Sequence, residues 1–176
     1  MIERLAKVLV IGYGNPGRCD DGLGPALAEA LEQAPVPGVT VDSDYQLTVE
    51  HAAAVAEHDA VVFADAAVSG PEPFAFQEIS SQWGESFTTH HVDPQAVLHL
   101  AKSLFNAGAR GYVLAVRGYA FNEFGETLSQ QAQRNLAAAL EFLRNLLQAG
   151  SGFRNHRCET VPLAGLGIAA GSEDQP

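Results

Sequence analysis

The feature that most constrains this chain is a glycine-rich turn, residues 12–24, between an apolar strand and a helix. It follows the apolar run at residues 8–11, which is typical of a strand buried on both faces. It precedes residues 25–31, whose apolar positions recur at helical spacing. Open α/β sheets bind their ligands at such strand-to-helix turns. The turn is unusual because two adjacent carboxylates, Asp20 and Asp21, lie at the mouth of the helix.

Strand-like and helix-like segments alternate along the rest of the chain. Strands are predicted over residues 7–13, 39–42, 60–65, 73–79 and 112–119, and helices over 23–33, 48–56, 94–106 and 127–149. Thr48, Asp93 and a capping box that starts at Thr127 are expected to begin the last three helices. The alternation predicts an α/β fold with about five strands, mostly parallel, between helices, and with residues 73–79 at an edge.

The chain length predicts one domain. Its 176 residues suffice for a sizeable core but are too few for two ordinary domains. We assign the folded domain to residues 1–150. The glycine-, serine- and charge-rich residues 151–176 are expected to form a flexible tail.

Composition narrows the range of partners. A net charge of −11 and a pI of about 4.8 argue against nucleic acid and anionic membrane surfaces. A basic peptide or protein is compatible, although acidity also serves plain solubility. Cys19 and Cys158 form no disulfide framework and fit a reducing compartment. There is no membrane-length apolar run and no signal-peptide cleavage pattern, so we expect a cytoplasmic protein.

Acidic and imidazole groups are predicted to meet at the carboxyl edge of the sheet. Asp21 follows the first strand, Asp65 ends the third, and the pair His90 and His91 precedes a helix. Gln46 is expected at the same edge, because loops that leave the carboxyl ends of parallel strands meet there. Two carboxylates and an imidazole can hold Ni²⁺, Zn²⁺ or Cd²⁺ and leave positions open for substrate. The residues alone do not choose between the two histidines.

Each candidate also has a structural interpretation. Asp20 or Asp21 could cap the first helix, and for Asp20 capping is as plausible as chemistry. Asp65 could simply accept hydrogen bonds from neighbouring backbone. Cys19 is interpreted as a small buried residue, because spacing fixes no histidine partner for a nucleophile. The other histidines, expected to be structural or solvated, are His51, His58, His99 and His156.

A nucleotide site is a competing interpretation of the same turn. Gly12, Gly14 and Gly17 spell GxGxxG after a strand, which is the layout of a dinucleotide-binding turn. The objection is electrostatic. Helix N-termini bind phosphate because they are positive, and Asp20 and Asp21 would place carboxylates where the pyrophosphate has to lie.

Three motifs together resemble the hydrogenase maturation endopeptidases, which trim the C-terminus of the large subunit of nickel–iron hydrogenases. Residues 14–24 resemble the family's GNxxxxDDGxG signature. Residues 61–66, an apolar strand that ends in Asp65, resemble its second motif. Residues 88–94, with a histidine just before a helix, resemble its third. The motifs occur in the family's order and span about residues 7–147.

The resemblance implies a three-layer α/β/α sandwich with a twisted five-stranded sheet. It also implies a catalytic and metal-contacting triad of Asp21, Asp65 and His90, with His90 preferred to His91 because its distance to Pro94 matches the family's spacing. The ion contacted is then the nickel of the substrate rather than a permanent cofactor. Zinc or cadmium could take its place in vitro, and no organic cofactor is implied.

The implied function is that of an endopeptidase of the type historically described as aspartic. It removes the C-terminal extension of a nickel-loaded large-subunit precursor and so activates the hydrogenase. Residues 46–50 and 90–94 look most like the branch that serves cytoplasmic, NAD(P)-linked bidirectional hydrogenases. We expect a monomer. The alternatives are a nucleotide-binding module and a non-catalytic nickel-binding maturation adaptor.

Overall fold

The computed structural model describes residues 6–81, residues 92–149 and Phe153, and it confirms the predicted α/β fold. The described strands are β1 (Val8–Tyr13), β2 (Val39–Asp44), β3 (Ala60–Ala67), β4 (Phe74–Ile79) and β5 (Arg110–Arg117). The described helices are α1 (Leu23–Gln33), α2 (His51–Ala56), α3 (Pro94–Phe105) and α4 (Gln130–Gln148). A 3₁₀ turn, Cys19–Gly22, precedes α1.

The strands form one sheet in the order β2-β1-β3-β5-β4. All neighbours are parallel except β4, which pairs antiparallel with β5 at the edge where it was predicted. From β1 the chain moves to β2 on one side and then returns to β3 on the other. The carboxyl ends of β1 and β3 are therefore the topological switch point, where sheets of this kind bind ligands.

Helices cover both faces of the sheet, which explains the continuous apolar strands. In β1, Val8 and Val10 contribute to the core beneath α1 and α4, whereas Leu9 and Ile11 contribute to the core beneath α2 and α3. Successive strand residues point to opposite faces, so a strand covered on both sides has to be apolar at every position. The central strand β3 is buried along its whole length.

The helix α1 lies very close to the sheet because glycines line the contact. A β-carbon at Gly12 would lie 2.2 Å from the carbonyl oxygen of Gly24, and one at Gly24 would lie 2.2 Å from that of Tyr13. Gly14 has a φ of +142°, and a β-carbon there would lie 2.1 Å from the carbonyl oxygen of Asp21. Close packing of backbone on backbone therefore accounts for these glycines without a bound phosphate.

Of the three predicted helix N-caps, Asp93 is correct, whereas Thr48 and Thr127 are wrong. The helix α3 begins at Pro94 with Asp93 as its N-cap, as predicted, and the Asp93 carboxylate accepts a hydrogen bond from the Ala96 N–H at 2.7 Å. The capping box from Thr127 is wrong. The N-cap of α4 is Ser129, because its hydroxyl is placed to accept from the Ala132 N–H at 3.3 Å.

The helix α2 begins at His51 rather than directly after Thr48. The Thr48 N–H donates to Nδ1 of His51 at 2.9 Å. This hydrogen bond to the His51 side chain closes a turn over the residues between them. In the described part of the chain, the helices are all too short or too polar to cross a bilayer.

Phe153 belongs to the core although it lies beyond the predicted domain boundary at residue 150. Its side chain is 6% exposed, and its ring centroid lies 5.1 Å from that of Tyr112. Its carbonyl oxygen accepts hydrogen bonds from the Tyr112 hydroxyl, at 2.9 Å, and from the Arg110 guanidinium. The other residues assigned to the tail lie outside the described part of the chain.

Candidate active site

Asp65 lies in β3 at the switch point, and its carboxylate is incompletely satisfied. The side chain is only 2% exposed. Its Oδ1 accepts a hydrogen bond from the Ala66 N–H at 2.7 Å, as the structural interpretation expected. Its Oδ2 is buried and has no partner of regular hydrogen-bond geometry among the described residues. A buried polar atom without a partner is costly, and such atoms mark sites where a ligand, ion or water acts.

Burial raises the pKa of Asp65 well above its usual range. The Ala66 N–H and the Tyr13 hydroxyl lower this pKa by hydrogen bonding, and the negative charge of Asp21 raises it further. Burial prevails because a charged carboxylate loses its water there. A cation placed beside Asp65 would favour the ionised form again.

Tyr13 is a site residue that the sequence analysis missed. It ends β1, and because Gly12 pairs with Ala64 in the parallel ladder, Tyr13 and Asp65 are neighbours on one face of the sheet. Burial, the charge and hydrogen bond of Asp65, and the charge of Asp93 raise the pKa of Tyr13 well above its ordinary value. The hydroxyl therefore stays protonated and can donate to the Asp65 carboxylate. Its position between Gly12 and Gly14, at the start of the glycine-rich turn, is the signal that could have identified it.

Asp21 reaches the same place from the 3₁₀ turn. Its Oδ2 accepts a hydrogen bond from the Asn15 N–H at 2.9 Å, and the Asn15 side chain in turn accepts from the Gly17 N–H at 2.9 Å. Asp21 is partly exposed, and its charge acts on Asp65. Asp21 therefore lies near enough to Asp65 at the switch point for its charge to act there, and it is the more exposed of the two carboxylates.

Asp20 has a role that neither of its two interpretations foresaw. The N-cap of α1 is Gly22, without a side-chain hydrogen bond, so Asp20 does not cap that helix. Its fully buried carboxylate instead accepts hydrogen bonds from the N–H groups of Tyr119, Ala120 and Ser129 and from the Ser129 hydroxyl, at 2.7–2.9 Å. Asp20 therefore anchors the 3₁₀ turn to the segment between β5 and α4.

Hydrogen bonding outweighs burial in setting the pKa of Asp20. Burial raises the pKa, but the N–H groups of Ala120, Ser129 and Tyr119 and the Ser129 hydroxyl lower it further, to below its ordinary value. Asp20 is therefore ionised at neutral pH. With its oxygens committed to four donors, it is not available to a metal or a substrate.

The remaining predicted site residues do not join the two carboxylates in the described structure. His90 and His91 lie outside the described residues, so the triad with His90 stays a prediction. Gln46 is exposed and has no hydrogen bond to Asp21 or Asp65. Among residues 6–81 and 92–149, no three histidine, cysteine or acidic side chains are grouped closely enough to hold a metal ion.

The structural interpretation of the other polar candidates is confirmed where the structure describes them. Cys19 is buried, and its N–H donates to the Gly125 carbonyl oxygen at 2.7 Å. Nδ1 of His51 accepts from Thr48, Nδ1 of His58 lies 2.7 Å from the Ala54 carbonyl oxygen, and Nδ1 of His99 lies 3.0 Å from the Ser81 carbonyl oxygen. Cys158 and His156 lie outside the described residues.

The geometry disfavours a nucleotide in the glycine-rich turn. The 3₁₀ turn stands in front of α1, and the carboxylate of Asp20 is buried within it. Asp21 presents a second carboxylate at the same place. A pyrophosphate would have to approach two negative charges instead of the free N–H groups that normally bind it.

The fold and the site define a three-layer α/β/α protein with an acidic site at the topological switch point. Solved hydrogenase maturation proteases have the same fold. HycI from Thermococcus kodakarensis matches with a TM-score of 0.63 and 21% identity, over 81% of this chain and 93% of that one. HybD from E. coli matches with a TM-score of 0.60 and 22% identity, over 82% and 94%.

A crystal structure of the hydrogenase 3 maturation protease matches over a larger share of this chain. Its TM-score is 0.63 at 20% identity, and it covers 89% of this chain and 98% of the other. At these identities the likeness establishes a shared fold. No protein-family model and no curated protein matches the sequence.

Proposed function

We propose that this protein is an endopeptidase that removes the C-terminal extension of a hydrogenase large-subunit precursor. The observation that carries the proposal is the meeting of Asp21 with the buried, incompletely satisfied Asp65, on a fold that solved hydrogenase maturation proteases also have. The motif resemblance supports the same function from the sequence. It favours the branch that serves NAD(P)-linked bidirectional hydrogenases, and we propose that the enzyme acts there as a cytoplasmic monomer.

The substrate in this proposal is a precursor that already carries nickel. We propose as oxygen ligands Oδ2 of Asp65, which has no partner of regular hydrogen-bond geometry among the described residues, and the partly exposed carboxylate of Asp21, with His90 as a nitrogen ligand. A mixed oxygen and nitrogen set suits a borderline divalent ion, so zinc or cadmium should substitute in vitro. The nickel arrives with the precursor, and we propose no permanent cofactor.

The site supports two routes for peptide hydrolysis. In both, water attacks the scissile carbonyl carbon, the C–N bond breaks, and the leaving nitrogen takes a proton. In the first route, the ion polarises the scissile carbonyl. In the second, which corresponds to the aspartic description, a carboxylate accepts the proton of the attacking water. Burial raises the pKa of Asp65, so its ionised form would be a stronger base than an exposed carboxylate in the second route.

The test is to mix the purified protein with nickel-loaded precursor and to follow the mass of the large subunit. We expect the wild type to shorten it at its C-terminus. Asp21→Asn, Asp65→Asn and His90→Ala should each slow processing by about 10²–10⁴-fold, the range for loss of one acid–base group. Glu57→Gln, at an exposed carboxylate just after α2, is the matched control and should process normally.

The outcomes separate the site from the function. Normal processing by all three variants would overturn the site assignment, whereas a wild type that leaves every precursor intact would overturn the peptidase. Stable binding of the precursor without a loss of mass would identify a nickel-binding adaptor instead. Calorimetry with NAD(H), FAD and ATP addresses the nucleotide alternative, which predicts tight binding to one of them.

A further inference from the structure

The most exposed large apolar side chain in the described structure is Phe124, at 87%. It lies in residues 118–129, between β5 and α4, and we call this segment the Phe124 loop. Tyr119, on the same loop, is also exposed, at 39%. A single exposed phenylalanine is common on protein surfaces, so what matters here is how its ring is held and what surrounds it.

The Phe124 loop is fixed in place rather than loosely attached. The four hydrogen bonds of the Asp20 carboxylate fasten it on both sides of Phe124. Directly after Phe124, the Gly125 N–H donates to the Gly17 carbonyl oxygen at 2.9 Å, and the Gly125 carbonyl oxygen accepts from Cys19 at 2.7 Å. These partners all belong to the turn that carries Asp21. Phe124 therefore has a set position relative to the proposed active site.

Arg18 supports the ring from the same turn. Its guanidinium carbon lies 5.4 Å from the centroid of the Phe124 ring, a cation–π arrangement. Aromatic and arginine side chains are the residue types that dominate the energy of protein–protein interfaces. A ring that is already held in one orientation loses little conformational freedom when a partner covers it.

The charges around the Phe124 ring indicate what kind of surface on a partner protein the ring fits. The exposed side chains of Glu123 and Glu126 flank Phe124, and the whole chain carries a net charge of −11. A complementary partner presents an apolar recess for the ring, edged by lysine or arginine side chains.

We propose that Phe124, supported by Arg18, is the docking anchor for the polypeptide substrate. This role rests on the proposed function, so the partner is the large-subunit precursor, and the ring enters an apolar recess with a basic edge on its surface. Because the anchor and Asp21 belong to one hydrogen-bonded unit, docking of the ring sets the position of the scissile segment relative to the two carboxylates. Phe124 is thus a specificity-determining residue that takes no part in the chemical step.

The test is steady-state processing of nickel-loaded precursor by Phe124→Ala over a range of precursor concentrations. We expect KM to rise roughly tenfold, the effect of one interface anchor, with kcat changed by less than about twofold. Phe124→Tyr, which keeps the ring, should restore most of the affinity. Phe105→Ala is the matched control, because Phe105 is 52% exposed at the far end of α3, and it should leave KM unchanged.

Each other outcome is decisive. A wild-type KM in Phe124→Ala would overturn the anchor and leave the proposed peptidase standing, and a fall in kcat at constant KM would also overturn it. A change in oligomeric state, measured by sedimentation, would show that a second copy of the chain covers the ring. If the wild type processes no precursor, the proposed function fails first, and the anchor fails with it. A thermal melt of Phe124→Ala close to that of the wild type excludes unfolding as the cause.

Discussion

At the scale of single residues, two adjacent carboxylates perform opposite tasks. Asp20 is buried and hydrogen-bonded to four donors, and its pKa is lowered. Asp21 is partly exposed, bonded to one backbone N–H, and close enough to Asp65 to raise the pKa of that residue. These different tasks explain why the turn has two acidic residues in a row. Asp20 holds the turn in shape through its hydrogen bonds, and the turn in that shape places Asp21 at the site.

The role of Asp20 predicts a pH-dependent loss of stability in Asp20→Asn. The folded pKa lies below the unfolded pKa, so the contribution of Asp20 is present above about pH 4 and is lost as the pH falls through the folded pKa. At pH 7 we expect the free energy of unfolding of Asp20→Asn to be about 1–3 kcal/mol lower than that of the wild type, because a neutral amide accepts these hydrogen bonds less well.

Urea denaturation of Asp20→Asn and the wild type at several pH values measures this difference. The difference in the free energy of unfolding between Asp20→Asn and the wild type should become smaller below pH 4, where the wild-type carboxyl group also becomes neutral. A gap that is constant from pH 7 to pH 3 would contradict an ionised Asp20. Glu57→Gln, at an exposed carboxylate just after α2, is the control.

At the scale of elements, the site depends on how closely α1 approaches the sheet. A β-carbon on Gly24 would lie 2.2 Å from the Tyr13 carbonyl oxygen and 2.6 Å from the Ala64 carbonyl oxygen. Both atoms are backbone atoms of the sheet: Tyr13 ends β1, and Ala64 directly precedes Asp65 in β3. The helix therefore cannot move away without changing the position of the turn that carries Asp21.

Gly24→Ala should therefore reduce both stability and processing. We expect a loss of about 1–3 kcal/mol or more in the free energy of unfolding, since the added methyl group meets rigid backbone. Processing should fall even at temperatures where the variant stays folded. Gly108→Ala is the control, because a β-carbon there has no heavy atom within 4 Å. Equal thermal melts and equal rates for Gly24→Ala and the wild type would contradict the close contact.

The sequence predicted most of the elements because local patterns determine them. Continuous apolar runs identified the buried strands, and Pro94 after Asp93 identified the start of α3. The patterns failed where a side chain from elsewhere decides the local structure. The N-cap of α4 is Ser129, and Ser129 is itself held by Asp20, which is 109 positions away in the chain. No window of neighbouring residues contains that information.

The placement of Asp21 near Asp65 was predictable in the same way. Asp21 and Asp65 follow from the rule that strand ends meet at one edge of a parallel sheet. Tyr13 was missed because an aromatic residue at a strand end is typical of the hydrophobic core. Only the register of β1 and β3, which the sequence does not show, places it beside Asp65. Gln46 lies in the exposed loop after the edge strand β2, and its predicted place beside the carboxylates stays a prediction.

At the scale of the whole molecule, the hydrophobic core extends past the last long helix. Phe153 packs on Tyr112, and its carbonyl oxygen receives two hydrogen bonds from β5. The core beneath α1 and α4 therefore includes a residue from the segment assigned to a tail.

Phe153→Ala should destabilise the protein by about 3–5 kcal/mol, the usual cost of removing a buried phenylalanine. Urea denaturation followed by circular dichroism measures the change. Phe105→Ala, at an exposed ring, should stay within about 0.5 kcal/mol of the wild type. A Phe153→Ala variant as stable as the wild type would show that the core ends with α4.

The bonds between Asp20 and the Phe124 loop also set the order in which this molecule can assemble. They join residues 99 to 109 positions apart, so these bonds cannot form before the chain reaches residue 129. A nascent chain on the ribosome contains the acidic motif long before it contains Ser129. The proposed active site therefore takes shape only after most of the chain has been synthesised, and partly made copies are expected to be unable to cut any polypeptide.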